Sequence, residues 1–292
     1  MADANIAELP VDTVSSADTP HEPEKPAAEP AVPATVTPTR PKVLVIGQSH
    51  VGCVNRAHGD PSFGASPSFD LATFQMLRPD IPYVVRVDGK VTYNPVIAPE
   101  IEQLLAREQP DLIVLMIEGQ QTAIIGFTHP AKPYDFALPG QPFEPAWDAE
   151  VIPYHVALTV ATRRFGHIGE FLRRIKPMFP CPVVALAPPP VIGENVTVLS
   201  MLDRHDAIRE AMRKHGVPPP LWRWKIWRLH VTALAHIYQR NEIPFHEPPA
   251  AAFQDGRFLQ PALVSDPFHG NPHYGAMLLR QIDDLLATTR GA

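Results

Sequence analysis

Cysteine is scarce in this 292-residue chain. Its two cysteines, Cys53 and Cys181, are too few for a disulfide framework and lie too far apart for a CxxC motif. No apolar run approaches the roughly 18 residues of a membrane-spanning helix, so we expect no stable membrane insertion. The sequence also lacks a basic segment followed by an apolar one at its start, which predicts no signal peptide and a cytoplasmic location.

Basic charge is also in short supply. The formal net charge is −6, and residues 1–41 contribute most of it, with seven acidic and two basic side chains. The rest of the chain is therefore nearly neutral. Nucleic-acid-binding proteins usually carry a clustered basic face, so we expect no nucleic-acid partner.

Residues 1–41 contain eight prolines and no aromatic side chain. A segment of this composition cannot bury enough apolar surface to offset the entropy lost on ordering. We therefore predict a disordered tail over 1–41 and one folded domain over 42–292.

Short apolar segments alternate with longer amphipathic ones along residues 42–292. The strand-like segments are 42–47, 82–87, 111–117 and 181–187. The helix-like segments are 98–108, 156–178, 203–215, 222–241 and 273–289. This alternation predicts an α/β fold, a three-layer sandwich in which helices cover both faces of a parallel sheet. Ligands of such folds bind beyond the carboxyl ends of the strands.

A serine follows the first predicted strand, within the segment Gly47-Gln48-Ser49-His50. At this position its hydroxyl can be exposed at the sheet edge, and its backbone N–H lies near a helix N-terminus that stabilises negative charge. Serine is also a common helix cap, so this motif alone does not indicate catalysis.

A carboxylate and a histidine lie three residues apart near the end of the chain, as Asp266 and His269. A serine hydroxyl becomes a nucleophile only beside a general base, and that base needs a carboxylate to orient it. Asp266 and His269 can supply both groups to Ser49 from one stiff turn that contains Pro267.

The pair of segments formed by Gly47-Gln48-Ser49-His50 and Asp266-Pro-Phe-His269 resembles the first and last motifs of the SGNH (GDSL-like) hydrolases. The resemblance implies a flavodoxin-like α/β/α sandwich and a serine esterase that needs no cofactor. It also implies that Ser49, His269 and Asp266 form the catalytic triad. Its substrates would be small acyl esters, including acetylated carbohydrates.

The same resemblance implies an oxyanion hole with three donors. These would be the N–H of Ser49, the N–H of Gly89 after the second predicted strand, and the side chain of Gln121 after the third. The chain departs from the family pattern at two positions. Gln48 replaces the usual aspartate before the serine, and Gln121 stands where the family has asparagine.

Further polar residues surround the two motifs. We expect Asn271 and Tyr274 to brace the His269 loop by hydrogen bonds, and His50 and His273 to contact substrate or support the site. Asp266, His269, His273 and His50 could also be read as metal ligands. Gly270 and Pro272 interrupt the spacing that would put two of these histidines on one helix face, so we expect no metal.

Two other features are explained most simply by packing in the protein core. Cys53 is most simply a small buried side chain rather than a nucleophile. The segment 222–230 interleaves tryptophan with basic residues, which suits a membrane-surface helix or, through Trp224 or Trp227, a substrate cleft. Its apolar residues fall at helical spacing, however, so we predict core packing of Trp222, Ile226, Leu229, Ala233 and Ile237.

Two alternatives to an esterase remain open on sequence grounds. An O-acyltransferase would use the same residues with a sugar hydroxyl in place of water. A non-catalytic module that binds a glycan or a partner would explain the altered Gln48 and Gln121 positions. No motif in the sequence indicates an oligomeric state.

Overall fold

The computed structural model describes residues 40–78, 80–117, 120–130, 132–195, 198 and 206–291, without the side chains of 120–123 and 206–208. The predicted tail thus lies outside the described residues except for Arg40 and Pro41. These two residues already contact the domain. The Asp70 N–H donates to the Pro41 carbonyl oxygen at 2.8 Å, and an Arg40 Nη atom donates to that of Phe69 at 3.0 Å.

The described chain alternates strands and helices from Lys42 onward. In chain order the strands are β1 (Lys42–Gly47), β2 (Asp70–Gln75), β3 (Val84–Val87), β4 (Lys90–Tyr93), β5 (Leu112–Met116), β6 (Tyr134–Asp135), β7 (Glu150–Val151), β8 (Val183–Leu186), β9 (Phe245–His246), β10 (Phe253–Gln254), β11 (Phe258–Leu259), β12 (Val264–Asp266) and β13 (His269–Gly270). The α-helices are α1 (Val51–Gly59), α2 (Ile97–Glu108), α3 (Gln120–Phe127), α4 (Tyr154–Arg164), α5 (Gly166–Ile175), α6 (Asp206–His215), α7 (Pro220–Arg240) and α8 (Pro272–Gly291).

Five strands form the central sheet in the order β2-β1-β5-β8-β9, and every neighbouring pair is parallel. Numbered by their sequence along the chain, these strands lie in the order 2-1-3-4-5, which is the flavodoxin-like arrangement. The predicted α/β class and parallel sheet are confirmed.

The sheet is buried on both faces, which explains its continuous apolar strands. On β1, Leu44 and Ile46 join one core cluster together with residues of α2, α4, α5 and α7. Val43 and Val45 join the opposite cluster together with residues of α1 and α8. Helices therefore cover the two faces, and the three-layer prediction is confirmed.

The predicted second strand, 82–87, was placed wrongly. It forms β3, which pairs with β4 as an antiparallel hairpin outside the main sheet. The second strand of the sheet is β2, which pairs with β1 and was not predicted. The fifth strand, β9, is two residues long and was also missed.

The long helix predicted over 156–178 is divided. It forms α4 and α5, separated at the buried Phe165, where the chain turns with φ −90° and ψ 10°. The helix predicted over 222–241 corresponds to α7, and the predicted face of Trp222, Ile226, Leu229, Ala233 and Ile237 is buried as expected.

Burial on α7 extends beyond the predicted face. Trp224, Trp227, Arg223 and Lys225 are buried as well, so the interleaved aromatic and basic residues pack inside the domain. This burial contradicts a membrane-surface role for the segment. Across the part of the chain that the structure describes, no helix combines the length and apolar character needed to cross a bilayer.

Candidate active site

The turn after β1 places Ser49 at the carboxyl edge of the sheet. A Cβ atom on Gly47 would lie 2.5 Å from the Met116 carbonyl oxygen and 2.8 Å from Val51, so glycine is required where β1 ends against β5. The Gln48 N–H then donates to the same Met116 oxygen at 3.1 Å. This close approach fixes the backbone immediately before Ser49.

The second half of the site is a tight hairpin. Asp266 ends β12, His269 begins β13, and the two residues pair across the hairpin. One carboxylate oxygen of Asp266 accepts the backbone N–H groups of Phe268 at 2.9 Å and His269 at 3.0 Å. These bonds hold the carboxylate beside the imidazole that follows it.

Ser49, His269 and Asp266 form a hydrogen-bonded chain. His269 Nε2 lies 2.7 Å from Ser49 Oγ, and His269 Nδ1 lies 2.8 Å from both carboxylate oxygens of Asp266. Because Nδ1 faces two acceptors, we assign the proton of the neutral ring to Nδ1. Nε2 is then an acceptor for the Ser49 hydroxyl proton, which is the arrangement of a Ser-His-Asp triad.

Packing between α1 and α8 brings the two halves together. A Cβ atom on Gly275 would overlap the carbonyl oxygen of Cys53, so a glycine is needed where the two helices cross. Asn271 anchors the hairpin beside this crossing. Its side-chain amide donates to the Ala262 carbonyl oxygen at 2.7 Å, and its Oδ1 accepts the Tyr274 N–H at 3.2 Å.

Tyr274 supports the hairpin differently from expectation. Its buried hydroxyl makes no hydrogen bond within the described residues, whereas its ring packs where a Cβ on Gly270 would have to go. Tyr274 therefore braces the His269 loop through its ring. His273 is exposed in the first turn of α8 and makes an edge contact with Phe63, 5.0 Å between ring centroids.

His50 and Gln48, on either side of Ser49, are both buried. Neither ring nitrogen of His50 nor the Nε2 atom of Gln48 has a hydrogen-bond partner in the described part of the chain. Burial, together with the charge of neighbouring His269, lowers the pKa of His50 to about 3. His50 is therefore uncharged at neutral pH. The sequence placed His50 near the site but gave no sign of its burial.

The structure agrees with one of the first two predicted oxyanion donors and not with the other. No described residue accepts a hydrogen bond from the Ser49 N–H, which leaves it available. Gly89 occupies the exposed turn between β3 and β4 with φ +76°, so its assignment after the second sheet strand is wrong. The register of β1 with β2 pairs Gly47 with Gln75, which makes Leu77 the residue that matches Ser49 beyond the strand ends.

The third predicted donor is Gln121. It lies in the first turn of α3, which follows β5 after Ile117 and two residues that are not described. This backbone position is at the carboxyl edge of the sheet, next to β1. The Gln121 side chain lies outside the described residues.

A cysteine nucleophile and a metal site were the two alternatives to a nucleophilic serine. Burial raises the pKa of Cys53 to about 12, and its Sγ donates to the His50 carbonyl oxygen at 3.1 Å. Such a thiol is not a nucleophile at neutral pH. The described residues contain no group of three or more histidine, cysteine, aspartate or glutamate side chains placed to hold a metal ion.

Comparison with known proteins gave structural similarities alone. No protein-family model matches the chain, and no curated protein sequence matches it. A periplasmic domain of a lipopolysaccharide acetyltransferase from Salmonella ser. Paratyphi A is 12% identical, with a TM-score of 0.46, over 85% of this chain and 84% of that one. A GDSL-like lipase from Bacteroides thetaiotaomicron is 13% identical, with a TM-score of 0.43, over 85% and 89%. An acetyl-xylooligosaccharide esterase from Geobacillus is 13% identical, with a TM-score of 0.40, over 84% and 94%.

Proposed function

We propose that this chain is an SGNH-like serine hydrolase that cleaves a small acyl ester. The observation that supports the proposal is the continuous hydrogen-bonded chain from Ser49 Oγ through His269 to Asp266. The flavodoxin-like strand order and the position of Ser49 directly after β1 agree with it. Acetylated carbohydrates remain the substrate class that the sequence resemblance implies.

In the proposed reaction, Ser49 Oγ attacks the acyl carbon while His269 Nε2 takes the hydroxyl proton. Asp266 stabilises the resulting imidazolium through its bonds to Nδ1. The tetrahedral intermediate collapses by breaking the bond to the alcohol, which leaves with the proton from Nε2. Water then attacks the acyl-enzyme by the same route, which releases the carboxylic acid and restores Ser49.

The oxyanion of the intermediate needs donors at the carboxyl edge of the sheet. The Ser49 N–H is the first, and we assign the second to the segment after β2, at Leu77, in place of Gly89. The amide of Gln121 is the proposed third donor. Loss of one such donor typically lowers kcat by about 10²–10³, so Gln121→Ala should fall in that range if its amide contributes.

Labelling with a fluorophosphonate probe tests the proposal directly, because the probe reacts with activated serines. The parent protein should label stoichiometrically, Ser49→Ala should not label, and the exposed Ser62→Ala should label like the parent. An unlabelled parent protein would contradict the proposal and favour a binding module. Labelling without ester hydrolysis, followed by acyl transfer when a sugar is added, would favour the acyltransferase alternative.

A further inference from the structure

Three arginines line one surface pocket of about 320 Å³ formed by α4, α5 and the end of α7. They are Arg163, Arg173 and Arg240. Within the described part of the chain, none of the three side chains forms an ion pair or a hydrogen bond with another residue. Three positive charges therefore lie together at one pocket without a partner among the described residues.

The rest of the pocket lining is free of negative charge. The other lining residues are Thr162, Gly166, Gly169, Ile237 and Asn241. Glu242 follows directly in the sequence, but its carboxylate is bound to Lys176 at 2.7 Å. No carboxylate is therefore placed in the lining to neutralise the three guanidinium groups.

The two glycines open the pocket between the arginines. A Cβ atom on Gly169 would lie 3.6 Å from an Nη atom of Arg173, which shows that this guanidinium lies over the glycine. A Cβ atom there would also lie 3.6 Å from the side chain of Ile237, so Arg173 and Ile237 both border this position of the lining. No atom lies within 4 Å of a Cβ built on Gly166, so this side of the pocket is also open.

The pocket and the proposed active site lie at opposite edges of the sheet. Arg240 and Asn241 lie a few residues before β9 and so at the amino edge, whereas Ser49 follows β1 at the carboxyl edge. All strands of the sheet are parallel, so these two edges face away from each other. The pocket is a separate site.

We propose that this pocket binds a small molecule that carries a phosphate group. Arginine guanidinium groups match phosphate oxygens in charge and in their paired hydrogen-bond geometry. The volume of about 320 Å³ exceeds that of phosphate alone and falls within the range of small-molecule sites. Thr162 and Asn241 supply neutral polar groups for the remainder of the ligand.

Calorimetric titration with inorganic phosphate and with pyrophosphate, at constant ionic strength, tests the proposal. The parent protein should bind pyrophosphate saturably with a Kd below about 1 mM. Arg173→Gln and Arg240→Gln should each weaken binding about tenfold or more, since each removes charge-assisted hydrogen bonds. Ser49→Ala should bind like the parent, which separates this proposal from the proposed esterase activity.

Arg174→Gln is the matched control, because Arg174 is exposed on the same helix and does not line the pocket. It should leave the Kd unchanged. Thermal unfolding without ligand checks that each variant is folded, and Arg163→Gln replaces any variant that is not. A Kd above about 1 mM for the parent, or equal weakening by Arg174→Gln, would overturn the proposal.

Discussion

The imidazole of His50 lies 5.2 Å from that of His269, measured between ring centroids, with the two ring planes tilted by 54°. His50 is buried, and its pKa is lowered to about 3. At neutral pH it therefore packs beside the proposed general base as an uncharged ring. His269 is left as the member of the pair that can take the proton of Ser49.

Buried neutral histidines should make the stability of the domain depend on pH. Burial lowers the pKa of His230, like that of His50, to about 3. Unfolding returns both rings to an ordinary pKa near 6.5, so the unfolded state binds more protons below that pH. Their contribution to stability is complete above about pH 6.5 and is lost as the pH falls toward about 3.

Each buried ring should steepen this loss by about 1.4 kcal/mol per pH unit. Urea unfolding at several pH values between about 4 and 6 should show His230→Phe with a shallower slope by that amount. The exposed His236→Gln is the control and should keep the parent slope. Equal slopes for His230→Phe and the parent would show that His230 is not held neutral in the folded state.

The three residues of the proposed triad should act as one unit. Ser49→Ala and Asp266→Asn should each lower kcat for a short acyl ester by about 10⁴ or more. The double variant should be little worse than Ser49→Ala, because both changes remove the same stabilisation of the transition state. The exposed Asp284→Asn should retain parent activity, and additive losses in the double variant would argue against a shared mechanism.

The crossing of α1 and α8 should not tolerate a methyl group. Gly275→Ala would place Cβ against the carbonyl oxygen of Cys53, so a helix must move. We expect destabilisation of about 1–3 kcal/mol or more in urea unfolding, together with reduced activity, because α8 follows the His269 hairpin. Gly291→Ala is the control in the same helix, since nothing lies within 4 Å of its Cβ position. Equal stability of the two variants would contradict this packing argument.

The sequence predicted the parts of the fold around the candidate site that depend on local patterns. Continuous apolar runs identified β1, β5 and β8, because strands buried on both faces have no polar alternation. The edge strand β2 was missed because its residues are only partly buried and its pattern is weak. That omission led to the prediction of Gly89 as the second oxyanion donor, whereas we propose Leu77 in the segment after β2, because the donor's position depends on which strand lies beside β1.

The burial of charged residues on α7 also could not be predicted from the sequence. Helical periodicity selects one apolar face, yet Arg223 and Lys225 are buried by segments distant in the chain. Arg223 donates to the carbonyl oxygens of Ile192 at 3.0 Å and Gly193 at 2.8 Å. These acceptors belong to another segment of the chain, so the residue pattern of α7 does not indicate them.

Lys225 and Asp135 provide a final test of how this buried charge is held. Their side chains are 3% and 1% exposed, and Lys225 Nζ lies 2.7 Å from an Asp135 carboxylate oxygen. Asp135 also accepts the backbone N–H groups of Phe136 and Ala146, both at 2.7 Å, so the pair fixes the connection that precedes α4.

Lys225→Met leaves this carboxylate buried without its cation and should cost about 3–5 kcal/mol in urea unfolding. The double variant Lys225→Met with Asp135→Asn should recover part of that loss, because asparagine removes the buried charge and keeps an acceptor for one of the two N–H groups. Arg228→Met removes an exposed pair with Glu247 and should change stability by less than about 1 kcal/mol. A Lys225→Met variant as stable as Arg228→Met would show that the buried pair does not hold this part of the domain.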